Sequence, residues 1–558
     1  MAHLYKKVKN GRDYYYIRET QRVYGKPTTI NQVYLGTADK VQELLKQDDG
    51  RRGFSPKEFG SIFVINEMNH SIDLPGIVDD ILPPKKRTKG PTLGELLFYA
   101  AMNRAIAPTS KRQLASWYES TDIQRIRPLR LESLNSQNFW NYWDRISEGD
   151  LQRMALAFFR QVHAQLPPHQ EHLVVEATNI LSPTPQPRIL METDFPKVGL
   201  AIVSERFSGV PVFYQAYPGG LPEVGFYQSY LDSLLARIPQ VGVKAQDFTI
   251  IFNQGIESEA VLKRIDSQEN LHFIASYDLR IDPELAKVPL KEFRPLPCRV
   301  NERRIASGEE DHQILHHETR GVYWNRPRRV IITFDPKVFQ KKYQDLRTRV
   351  HKLRKELLVL QKQHQHGAGL DDKAIEAHLA QVCQRLHLDP RIFSWTFTQE
   401  NGRSTLNFQL EQDRLNESVL QFGKTALITD REDWEAPEIC RTFMERCVID
   451  ASDPQAQSAT HVTLMPLYHW TDSKVLVHMF VCVAALSFLA LFNQRLIDAG
   501  LALSPREAIL EMRSLTTAIY LTDIDGKLKR ALHSLTDTQS AILKALGYQM
   551  EEGKVIPL

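Results

Sequence analysis

The stretch HLVVEATNILSP, residues 172–183, constrains the fold of this 558-residue chain more than any other. Leu173, Val174 and Val175 form an apolar run of strand length that closes on one acid, Glu176, and then turns polar. Such a run reads as a buried strand of a sheet core, and its acid is expected at an open sheet edge, where a divalent cation takes oxygen ligands. Residues 198–203 and 210–217 read as further strands and 226–238 as a helix. The apolar strand FTIIF then ends on Asn253. Two strands joined by a helix, each reaching a polar residue at the same sheet edge, predict an α/β core of nuclease type.

Length and composition bound the rest. A chain this long predicts several domains, and 42% hydrophobic with 25% charged residues predicts a globular one. Lys and Arg exceed Asp and Glu by only 70 to 67, so a polyanion partner has to be argued from local clusters. Five cysteines, odd in number and without a CxxC pair, argue against a disulfide framework or a zinc knuckle and predict a reducing, cytoplasmic setting. The N-terminus is basic but lacks the apolar core of a signal peptide. Residues 475–492, VLVHMFVCVAALSFLALF, reach the length of a membrane span but carry His478 and Ser487; a buried core helix is predicted, with no membrane partner.

Along the chain, residues 11–36 read as a hairpin turning at Gly25-Lys26-Pro27. Lys6, Lys7, Lys9, Arg12, Arg18, Arg22 and Lys26 interleave with its tyrosines, a mixture that suits phosphate contacts with aromatic packing against DNA and equally a small sheet with a solvated basic face. PPKKRTKG reads as a stiff linker whose Lys85, Lys86, Arg87 and Lys89 can also meet phosphate. A capping box at Thr92 and Glu95 opens a helix, Thr109 or Ser110 opens another beside Lys111 and Arg112, and Phe139, Trp140, Tyr142 and Trp143 read as core. Later, Phe339, Tyr343, Leu346, Val350, Leu353, Leu357 and Leu360 form a heptad seam, which predicts a helical hairpin or a dimer contact, with Lys341, Lys342, Arg347, Arg349, Lys352, Arg354 and Lys355 on the outer face. The cluster His316, His317 and Glu318 has no metal-ligand spacing and reads as a strand-end group.

Several of these stretches together resemble the DDE transposases of bacterial insertion sequences, in the subgroup with a β-rich insertion between the second and third catalytic acids. The resemblance is carried by YYYIRETQRVYGKPTTINQVYLGT, NRAIAPTSKRQLASWY, the strand around ATN, GKTALITDREDW and above all PLYHWTDSKVLVHMFVCVAAL. It implies a ribonuclease-H-like mixed-sheet α/β core holding two Mg²⁺ ions on three carboxylates, with double-stranded DNA as partner and a homodimer as assembly. The implied domains are 1–82, a basic β-rich region; 83–168, a linker and helical DNA-binding domain; 169–280, the first part of the core; 281–435, the insertion; and 436–558, the last part of the core.

The implied triad positions are Glu176, Asn253 and Asp450, and all three depart from the family pattern. Glu176 and Asp450 change arm length by one methylene. Asn253 removes a negative charge from a site meant for two divalent ions. Asp453, Pro454 and Gln457 stand where the family has DNA-gripping residues on a helix. The expectation is a transposase-derived DNA-binding protein that neither binds Mg²⁺ nor cuts DNA. Two alternatives stand beside it: an active transposase in which Glu192, Asp194, Asp247 or Glu257 substitutes for the lost acid, and a scaffold that assembles with other proteins and no longer handles DNA.

Overall fold

The computed structural model describes residues 2–47, 54–84, 90–166, 172–180, 198–218, 223–245, 247–252, 259–365, 372–400, 403–444, 448–450, 461–463, 472–521 and 528–558. The chain is a mixed α/β protein of two units, one comprising residues 1–252, 257–273 and 441–558, the other 253–256 and 274–440.

In the first unit, the apolar run 475–492 lies within the helix Asp472–Asp498. This helix is long and apolar enough to cross a membrane, yet 94% of its most apolar window is buried against the rest of the chain, the situation of a core helix. A helix apolar on every face must be covered on every face. The helices Gly60–His70, Leu93–Ile106 and Glu148–Ala164 supply that cover, with Phe488 meeting Phe98 and Phe158 edge-on at 5.9 and 6.1 Å. The predicted capping box is present: the Thr92 hydroxyl accepts from Glu95 N–H at 3.1 Å and Glu95 accepts from Thr92 N–H at 3.0 Å. The next helix begins later than the sequence suggests, at Leu114, because Thr109 is engaged through both its N–H and its hydroxyl by Asn103 Oδ1. Phe139 and Trp143 are core residues, while Trp140 and Tyr142 are only part-buried.

Strands β1 (Ala2–Lys9), β2 (Arg12–Val23) and β3 (Lys26–Gly36) form an antiparallel meander. Its turns are Asn10-Gly11, at φ 51° and 72°, and Tyr24-Gly25, at φ 49° and 77°. Two consecutive left-handed residues match the twist of the flanking strands, which is why glycine sits second in each. The hairpin around Gly25 is therefore present with its turn one residue early, and β1 is a strand the sequence reading did not assign. Strand β4 (Phe54–Glu58) pairs with Thr516–Leu521, which pairs in turn with Leu528–Leu532.

Strands β5 (His172–Ile180), β6 (Val198–Glu205) and β7 (Pro211–Pro218) form a second antiparallel meander, and β8 (Asp247–Phe252) lies parallel to β5 on its other side. Flanked on both sides, β5 buries Leu173, Val175 and Ala177 completely. A meander followed by a crossover to a parallel strand is compatible with the ribonuclease-H-like core implied by the resemblance.

The second unit holds the hairpin Leu315–Tyr323 with Arg326–Phe334, the strand Lys424–Thr429 beside it, and a helical part. In that part the seam of the helix Pro336–Gln365 buries Leu346, Leu353, Leu357 and Leu360 against Ile375, Leu379, Val382 and Cys383, all from the helix Asp372–Arg385. The buried part of the heptad pattern is thus packed within the chain as a helical hairpin, one of the two arrangements predicted for it, while Phe339, Tyr343 and Val350 of the same seam are only part-buried.

Candidate functional site

Glu176 is 9% exposed and lies in the interior of β5, opposite Ile202 of β6 and Ile251 of β8. The sequence reading put it at a strand end; instead the strand continues through Ala177–Ile180, because those residues keep pairing with β6 as far as Val198. Beside it, the Tyr227 hydroxyl accepts from Ala177 N–H at 3.2 Å and donates to Ile251 C=O at 3.3 Å, tying β5 to β8 next to the acid. Tyr227 is a positioning contact the sequence did not disclose, since nothing local marks a tyrosine 50 residues away as a strand clamp. Strand β8 ends at Phe252, and Asn253 lies outside the described residues.

Asp450 ends the short strand Val448–Asp450, which pairs in parallel with His461–Thr463 and approaches β5. The resemblance implied a helix there. The preceding helix stops at Met444, and the β-branched pair Val448-Ile449, with Pro454 downstream, favours extended backbone. Among the candidate substitute acids, Asp247 is bound to His172 Nδ1 at 2.9 Å at the start of β8, four residues before the position facing Glu176. Four strand residues span about 13 Å, beyond the reach of a shared metal ion. Glu192, Asp194 and Glu257 lie outside the described residues. Among the described residues no three His, Cys, Asp or Glu side chains form a metal-sized group. Of the three positions implied by the resemblance, only Glu176 has a side chain within the described residues. His316, His317 and Glu318 fall on alternating faces of one strand: His317 Nδ1 lies 3.2 Å from the Glu292 carbonyl, and Glu318 binds Arg329.

The cationic candidates divide by strand face. In β2, Ile17, Glu19 and Val23 face inward and are buried, so Arg12, Tyr14, Tyr16, Arg18 and Arg22 face outward. Register places Lys7 opposite Tyr14, Lys9 opposite Arg12, Tyr5 opposite Tyr16 and Tyr34 opposite Tyr16 on the same outer face. Lys7, Lys9, Arg12 and Arg22 are exposed; the Arg18 guanidinium lies 3.3 Å over the Tyr5 ring and donates to Gln32 at 2.6 Å. Lys6 is on the other face, paired with Asp13 at 2.9 Å, and Lys26 is exposed at a turn. Lys85, Lys86, Arg87 and Lys89 lie outside the described residues, and Arg112 is exposed.

Lys111 is placed differently from Arg112: it is part-buried, its amine 3.4 Å from His478 Nδ1 and 4.9 Å over the Trp143 ring, on the side of the core helix. Burial, reinforced by the charge of Arg104, pushes that amine down to about 7. His478 Nε2 in turn lies 3.6 Å from Cys482 Sγ on the core helix. On the second unit, Lys341, Lys342, Arg347, Lys352, Arg354 and Lys355 are exposed, and Arg349 is tied to Asp345 and the His387 carbonyl. A cavity of about 500 Å³ there is lined by Lys352, Lys355, Glu356, Val359, Arg385 and Leu386, with Glu356 3.6 Å from Arg385.

No family model matches the chain, and no curated protein matches it. One solved structure that does is the cryo-EM structure of a piggyBac transposase synaptic complex with hairpin DNA: 10% identity, 83% of this chain and 82% of that chain covered, and a TM-score of 0.29. A likeness that loose carries no argument about fold or function.

Proposed function

We propose that this chain is a DNA-binding protein of transposase descent that no longer cuts or joins strands. The observation that carries the binding half is the outer face of the β1–β3 sheet: Lys7, Lys9, Arg12, Arg18 and Arg22 share it, while Asp13 and Glu19, the acids of these strands, lie on the other face. Phosphate contacts need cations with no carboxylate set among them, and this face supplies that arrangement. The catalytic half rests on chemistry. Asn253 cannot supply the charge a two-metal centre needs, and Asp450 follows β-branched residues rather than standing on a helix. Binding to DNA should weaken steeply with salt, log K falling by about 0.9 per phosphate contact for each tenfold rise in salt on duplex. Incubation with Mg²⁺ or Mn²⁺ should leave the DNA intact. Cleavage that Glu176→Ala abolishes would instead establish the active-transposase reading, and salt-independent or absent DNA binding would favour a protein scaffold.

A further inference from the structure

The outer face of the N-terminal sheet carries more than charge. Tyr5, Tyr14, Tyr16 and Tyr34 form one continuous patch across its three strands, with ring centroids 6.3 Å apart for Tyr5 and Tyr16, 6.2 Å for Tyr14 and Tyr34, and 5.2 Å for Tyr16 and Tyr34. Tyr34 is 56% exposed. Cross-strand aromatic pairs do stabilise sheets, but a purely structural pair gains most from being covered. Here the covered face is the opposite one, where Ile17 and Leu35 pack on Ile519 and Glu19 meets Arg530.

The shape of the face decides which form of nucleic acid it suits. Three strands about 4.8 Å apart span about 10 Å between the outer backbones before side chains are added. A major groove about 12 Å wide admits a helix or a two-stranded ribbon, and a minor groove about 6 Å wide admits less. That width does not by itself exclude the major groove, but in a duplex the base faces are stacked on one another and offer the exposed tyrosine rings nothing to stack on. Unpaired bases have no such restriction: each can lie on an aromatic ring while neighbouring cations hold the backbone phosphates. Arg18, flat on Tyr5 and anchored by Gln32, adds a planar cation to the same platform.

We infer that this face binds unpaired DNA strand, its tyrosines stacking bases and Lys7, Lys9, Arg12 and Arg22 taking phosphates. The inference rests on the DNA-binding reading above and narrows it to the single-stranded form. Its test measures the anisotropy of a labelled oligothymidylate and of a blunt duplex of equal length, using the full chain and its Tyr16→Ala, Tyr34→Ala and Tyr16→Leu variants. The expected result is tighter binding of the single strand, weakened about tenfold by each alanine and also by Tyr16→Leu, with duplex binding changed less than twofold. Leucine keeps apolar cover on the sheet but loses the ring, so a structural role alone would show as a lower melting temperature with single-strand affinity unchanged. Salt-dependent duplex binding with no effect of the tyrosine variants on the single strand would overturn the inference and leave the DNA-binding reading standing; absence of binding to either would sink both.

Discussion

Lys111 illustrates how a single side chain changes meaning between sequence and structure. In sequence it stands beside Arg112 after a helix and reads as part of a basic patch; in the fold its amine reaches His478, 367 positions away, on the core helix. No local pattern encodes that direction, because it is set by a partner brought in by the tertiary fold. The same holds for Tyr227, whose hydroxyl clamps β5 to β8. The acid at Glu176 was legible as the end of an apolar run, but its place in mid-strand depended on β6 continuing to pair beyond it. The inward lysine has a pH consequence. An amine that titrates near 7 in the folded state and near 10.4 unfolded is deprotonated on folding between those values, so the chain gains stability as pH rises through that window and carries the full penalty below it. Lys111→Met should raise stability at pH 7 by about 2–4 kcal/mol and flatten its dependence between pH 7 and 10, as read from urea melts at several pH values.

At the scale of elements, the patterns that depend only on neighbours were the ones legible in advance. The capping box at Thr92 and Glu95, the all-apolar core helix and the hairpin around Gly25 follow from local spacing. Strand β1 is less legible although Asn10-Gly11 is a strong hairpin signal, because its basic segment alternates only weakly between apolar and polar residues. Four of the seven residues of the heptad seam are buried, and periodicity alone does not say whether the partner helix is in the same chain. The helix Asp372–Arg385 answers that for this fold. Leu353, fully buried in the seam, should therefore behave as a core residue: Leu353→Ala should cost about 2–5 kcal/mol and expose the helical hairpin to proteolysis. Light scattering should give the same oligomeric mass for wild type and variant. A change of mass without loss of stability would mean that the seam serves assembly instead.

For the whole molecule, the ends of the chain are held together inside the first unit. Glu19 of β2 and Arg530 are both almost fully buried and meet at 2.8 Å, and Arg530 also donates to the carbonyls of Ser55 and Thr517. Burial by itself would raise the Glu19 pKa, but hydrogen bonds and charge from Arg530 more than offset it and hold the carboxyl below its usual range. The stability this pair contributes is present above the usual carboxylate range and is lost as pH falls through the lowered value. Arg530→Met, which leaves Glu19 buried without its cation, should cost about 3–5 kcal/mol and release the N-terminal sheet to early cleavage in limited proteolysis. That tie matters for function because it fixes the inner face of the sheet that carries the cations and tyrosines outward. The most direct test of the whole account joins its two halves: the full chain, with Mg²⁺ or Mn²⁺, is mixed with DNA carrying both duplex and unpaired segments, and binding and strand breakage are followed in the same samples. The predicted result is salt-sensitive binding with every strand intact, in wild type and Glu176→Ala alike; breakage in wild type that disappears in Glu176→Ala would contradict it.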